Sequence, residues 1–150
     1  MTPEQMLSVL QKSDTFTLCL LLLFFSGALL ANILYYRTLS RTMSTITPSL
    51  RPFPPGTIWL AFLPFIGTLW YMVYVVRLSL ALQRELVKRQ LPGDGAIRVA
   101  VSVVLLFLLC LVPSLRLYAM VPTLAMWILH WYRISRYHKL LAEPNYLEVE

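Results

Sequence analysis

The feature that constrains this chain most is an apolar run from Phe16 to about Tyr36 that contains no Asp, Glu, Lys or Arg. A helix rises 1.5 Å per residue, so about 20 residues cross the ~30 Å hydrocarbon layer of a bilayer. The stretch before Phe16 is not positively charged. The run also continues past Ser26-Gly27-Ala28, the small-residue stretch that would suit a leader peptidase. A retained first transmembrane helix is expected.

The rest of the sequence has the same character. Hydrophobic residues make up 58% of the 150 residues and charged residues 13%, against about 45–50% and about 25% in soluble domains. One aqueous core cannot hide that much apolar surface. The net charge of +6 does not point to nucleic acid, because the cations sit between apolar runs and form no continuous basic face. Anionic headgroups and the positive-inside bias account for them.

Along the chain the expectation is an all-α membrane bundle of about four transmembrane helices in a single domain, residues 1–150. Thr2-Pro3-Glu4-Gln5 resembles a helix start. Met6, Leu7 and Leu10 then give a short helix lying in the interface, and Ser13-Asp14 restarts the backbone before the first span, about 16–36. Inside that span Gly27 and Ala31 form a small-xxx-small pair with Asn32 beside them. Such a face lets another helix approach closely and hydrogen-bond across the contact. Residues 37–56 hold Pro48, Pro52, Pro54 and Pro55 among Ser and Thr and are expected to form a loop.

The second span covers about 57–76, with Trp59 as an interfacial anchor and Pro64 as a kink. Trp70, Tyr71 and Tyr74 lie deeper and need polar partners within the bundle. A cytoplasmic extension, Arg77 to Gln90, repeats Leu78, Leu82 and Leu86 against charged residues, a face suited to a partner groove or the lipid interface. Pro92-Gly93-Asp94-Gly95 stops it. The third span, about 96–112, turns at Pro113-Ser114-Leu115-Arg116 into a fourth, about 117–134, and an acidic tail occupies 140–150. The sequence contains no internal repeat of the kind that marks inverted-repeat transporters.

Four crossings put both termini on one side. With the termini inside, nine Lys and Arg fall inside and four outside (Arg37, Arg41, Arg51 and Arg116). The positive-inside rule then places both termini in the cytoplasm.

Pro55-Gly56, Trp59-Leu60, Pro64, Trp70, Val75, Arg77, Ser79, Leu82 and Glu85, with Trp131, Arg133-Ile134, Tyr137 and Leu140 near the end, carry a family likeness. Over residues 55–85 and the end of the chain, together roughly a third of it, the sequence resembles small multi-spanning bacterial inner-membrane proteins of no assigned activity. The resemblance implies a bacterial inner-membrane location and no reaction. Members of that group carry polar residues where Ala61, Gly67 and Leu80 stand here.

An intramembrane enzyme needs acids, bases or nucleophiles converging at membrane depth. No Asp, Glu or Lys sits at the centre of any expected span, and no triad, His-rich metal motif or phosphate loop is present. His130 is the one imidazole within a span. It reads as a histidine hydrogen-bonded between helices, with a haem or chlorin ligand as the alternative. Trp70 and Tyr74 offer a surface for a quinone, although helix packing explains them without one. Cys19 and Cys110 lie in apolar runs and are expected as free thiols.

The expected function is a non-catalytic membrane subunit that binds and stabilises a larger complex. The expected partners are the bilayer and other membrane subunits, with no metal and no nucleic acid. The alternatives are a self-associating pore and a pigment- or quinone-binding protein.

Overall fold

The computed structural model describes residues 3–64 and 66–142, with side chains described from Asp14 onward. Four α-helices, α1 (Pro3–Thr45), α2 (Ile66–Lys88), α3 (Ile97–Cys110) and α4 (Arg116–Ala142), are joined by short links. Two 3-10 segments, Pro48–Leu50 and Pro55–Phe62, lie between α1 and α2, and the described residues contain no strand. The chain divides into two compact units, Met1–Tyr35 and Tyr36–Glu150. The apolar face of Met6, Leu7 and Leu10 and most of the acidic tail lie outside the described residues.

The first unit is helix throughout its described length. Ser13-Asp14 does not interrupt α1, so there is no separate N-terminal helix. A side chain that can cap a helix start does not stop a helix already under way, because the preceding turn has satisfied the backbone donors. Every described side chain from Asp14 to Leu30 is exposed, including Phe16, Leu20, Leu23, Phe24 and Leu30.

In the second unit the core gathers where a loop is expected. Helix α1 runs on through residues 37–45 and buries Leu39, Met43 and Ile46, spaced to share one helical face. The Ser and Thr residues that suggest a loop bond back to their own helix instead: Thr42 to the Thr38 carbonyl (2.9 Å), Ser44 to Arg41 (2.6 Å) and Thr45 to Thr42 (2.8 Å). What ends α1 is Pro48, which pushes the residue before it out of the helical region. Thr47 accordingly sits at φ −53°, ψ 133°.

From Thr47 the chain returns along α2 without forming a regular α-helix. Phe53 packs its ring 4.9 Å from Trp70 and 6.2 Å from Tyr74, and Trp59 and Phe62 reach Tyr36. The backbone there needs outside donors. Trp70 Nε1 donates to the Thr57 carbonyl (2.6 Å) and the Tyr74 hydroxyl to that of Pro55 (3.3 Å).

The expected span 57–76 is therefore not one kinked helix. Pro64 separates the second 3-10 segment from α2, which starts at Ile66, and the Gly67 N–H caps the break on the Leu63 carbonyl (2.9 Å). A Cβ on Gly67 would strike the Ala61 carbonyl, so glycine permits this close approach.

Two helical stretches, Asp14–Thr45 and Ile66–Lys88, are long and apolar enough to cross a membrane. At 14 residues α3 is apolar but too short to span ~30 Å unaided. It starts after Ala96, whose backbone is left-handed at φ 60°.

Direction matters most for orientation. The ends of α1, α2 and α4 meet, because Arg89 near the end of α2 bonds the carbonyls of both Thr45 and Leu141. Helices α1, α2 and α4 run toward one end of this unit, and α3 runs away from it. Thr45 and Thr47, within the segment 37–56, thus lie beside Glu85 and Arg89 of the Arg77–Gln90 extension, whereas the expected topology puts the two segments on opposite sides.

Candidate functional site

The polar chemistry of the described residues is concentrated where the three helix ends meet. Glu85 is fully buried. It accepts the Thr47 backbone N–H at 3.1 Å and the Thr47 hydroxyl at 2.9 Å. Arg89, one turn further along α2, donates Nε to the same carboxylate at 2.7 Å.

The two terminal nitrogens of Arg89 then reach the carbonyl of Leu141 (3.2 Å) and that of Thr45 (3.3 Å). The last carbonyls of a helix have no intrahelical donor and carry its negative end, so a guanidinium suits them in both hydrogen bonding and charge. The planar fork of arginine serves both helix ends at once, which a lysine ammonium cannot copy. Lys88 adds a longer contact to the Thr47 hydroxyl at 3.4 Å.

A second latch holds the α2–α3 turn to α4. Gly95, at φ +63°, presses against α2, where a Cβ would come within 2.5 Å of the Ser79 carbonyl and the Gln83 nitrogen. That turn presents Asp94, whose Oδ1 accepts from the Ala96 N–H (3.0 Å) and the Tyr137 hydroxyl (3.0 Å). Its Oδ2 lies 3.5 Å from Arg133. Burial works to raise the Asp94 pKa, but the Ala96 N–H, the Tyr137 hydroxyl and the Arg133 charge outweigh it and hold the carboxyl below its ordinary value. Tyr137 is displaced upward, by its own burial and by its bond to Asp94.

These two clusters bind helices to one another. No group of three or more His, Cys, Asp and Glu side chains suited to a metal occurs among the described residues.

The residues singled out from sequence fall into separate places. Leu78, Leu82 and Leu86 are fully buried against their own chain, so they are core and offer nothing to a partner or to lipid. Their four-residue period is real, but the fold of the chain itself covers it. Trp70 and Tyr74 have their polar atoms engaged with the returning backbone. His130 is buried on α4. In the first unit Asn32 donates back to the Ala28 carbonyl of its own helix (2.9 Å), and a Cβ on Gly27 would meet nothing within 4 Å. Ala31 lies one turn beyond Gly27 and is half-exposed. Cys19 and Cys110 are both free thiols, and Cys110 Sγ rests 3.3 Å from the Thr123 hydroxyl.

Sequence reading misses Glu85, Arg89, Asp94 and Tyr137 as a set. Two local signs of it exist, the i, i+4 pair Glu85–Arg89 and the Asp between two glycines. Their partners Thr47 and Leu141 are remote in sequence.

No protein-family model matches the chain, and no curated protein or solved structure matches it.

Proposed function

We propose that this chain is a non-catalytic, multi-pass subunit of a larger membrane complex, seated in a bacterial inner membrane with its basic end in the cytoplasm. The observation that carries the reading is how surface is divided. Between residues 36 and 142 most exposed large hydrophobics lie away from the meeting point of the helix ends, from Trp59 and Leu63 through Ile66, Leu105 and Leu111 to Leu124, while Val87 and Val101 lie nearer to it. Eleven of the twelve Lys and Arg in the same stretch lie toward it, and Arg116, in the α3–α4 turn, is the exception. That separation matches a lipid-facing surface ending at a cytoplasmic boundary.

The revised topology strengthens the positive-inside bias, since Arg37, Arg41 and Arg51 join the other cations. The exposed first helix, with Gly27 open and Ala31 one turn on, supplies a surface on which a second membrane protein can pack. The buried charged groups are spent on joining helix ends, which suits a scaffold.

A self-assembling pore is the competing class. Liposomes containing only this protein distinguish the two. The subunit reading expects no ion flux above empty vesicles, and clear conductance from a closed homo-oligomer would overturn it.

A further inference from the structure

The surface where the last turns of α1 lie beside the end of α4 has a chemistry that joining the helices does not use. Trp131 Nε1 donates to the Thr38 hydroxyl at 3.2 Å, which fixes α4 beside α1 at that height. One to two turns further toward the basic end come Arg41 on α1 and His138 on α4. They are close enough that, after burial, the Arg41 charge is what holds the His138 imidazole below its ordinary pKa. His138 Nδ1 is buried and has no hydrogen-bond partner among the described residues. Arg37 shares the helical face of Arg41, and both are exposed. The two ion pairs among the described residues, Glu85–Arg89 and Asp94–Arg133, leave neither arginine with an acid.

Two like-charged arginines and an unsatisfied imidazole nitrogen are an arrangement short of one anion. Above them Trp127 and Trp131 lie with ring centres 5.4 Å apart, and indoles of this kind favour the headgroup level of a bilayer. Further up α4, Leu124 and Ile128 are exposed. Basic group, indole and aliphatic surface follow one another in the order of phosphate, glycerol and acyl chain.

We propose that this surface binds the phosphate of an anionic phospholipid headgroup, with Arg37 and Arg41 supplying charge, His138 Nδ1 a hydrogen bond and Trp131 a platform for the glycerol. Basic recesses between helices on the cytoplasmic side are a known form of lipid site. The site rests on the membrane placement proposed above, and its test separates the two.

The whole protein is delipidated in mild detergent and offered phosphatidylglycerol or phosphatidylcholine, and bound lipid is counted by native mass spectrometry. Phosphatidylglycerol should bind in preference to phosphatidylcholine. Arg41→Gln should weaken it about fivefold, the effect of one cation near an anionic surface. His138→Gln should weaken it as well, whereas Arg84→Gln, which removes an equal charge from α2, should leave it unchanged. Arg41→Lys, which keeps the charge, guards against misfolding and should retain the lipid. Equal binding of the two lipids, equal loss in Arg84→Gln and Arg41→Gln, or displacement of the lipid by inorganic phosphate would each overturn the site. Extraction of the protein from membranes by alkaline carbonate would instead overturn the membrane placement.

Discussion

Thr47 donates both its backbone N–H and its hydroxyl to Glu85, thirty-eight residues away, at 3.1 and 2.9 Å. The contact joins a segment that charge counting alone puts outside the cell to one that it puts inside. Once they share an end, the four unmatched outer arginines of the sequence reading reduce to Arg116.

Topology is the first consequence. Single cysteines at Ser49 and Gln90, in a background with Cys19 and Cys110 replaced by Ala, should react with an impermeant maleimide from the same side of sealed vesicles. Labelling from opposite sides would restore the four-crossing arrangement and separate Thr47 from Glu85.

The Glu85–Arg89 pair is the second. Arg89 is partly exposed, so loss of Glu85 is felt mainly through the unpaired Thr47 donors, at about 1–3 kcal/mol for a buried polar group left without its partner. Glu85→Ala should therefore destabilise the protein by about 1–3 kcal/mol in reversible unfolding in detergent. Arg89→Lys keeps the charge but loses the fork and should lie between Glu85→Ala and the natural protein. A Glu85→Ala variant as stable as the natural protein would show that the clamp contributes nothing.

How much of this was legible is clearest from particular residues. The apolar run from Phe16, the stop at Pro92-Gly93 and the turn at Pro113 can be read because each depends on local backbone chemistry. The helical character of 37–45 was hidden. Leu39, Met43 and Ile46 have the right spacing, but Ser, Thr and Arg surround them, and only burial by α2 and α4 makes that spacing decisive. The Leu78, Leu82 and Leu86 stripe was visible, but its destination was not, since periodicity identifies a face and never what covers it. Glu85 and Asp94 were missed as sites because their partners are set by tertiary contacts.

Asp94 makes stability depend on pH in a calculable direction. Its folded pKa lies below the unfolded value near about 3.9. The carboxylate therefore stabilises the fold fully above that unfolded value, and the contribution is lost as pH falls through the lower folded one. In thermal melts the natural protein should exceed Asp94→Asn from neutral pH down to about 5, and the gap should close below about 4. A gap that widened on acidification would contradict the assigned direction. Tyr137→Phe should narrow the gap by removing one donor.

Gly67 gives a steric prediction independent of charge. A methyl group there would meet the Ala61 backbone, which cannot swing aside as a side chain does. Gly67→Ala should cost about 1–3 kcal/mol, the usual range for overpacking, whereas Gly56→Ala, where a Cβ meets nothing within 4 Å, should cost far less. Equal stabilities for the two variants would mean the break before α2 is looser than described.

The most direct test of the membrane-subunit account is the mass and composition of the particle extracted in a mild detergent from cells making the protein at its natural level. The account predicts a particle heavier than one chain, with at least one different membrane protein in fixed ratio, which Gly27→Leu releases while the chain stays in the membrane. A particle made only of this chain, whether single or as a symmetric ring, and unchanged by Gly27→Leu, would contradict it.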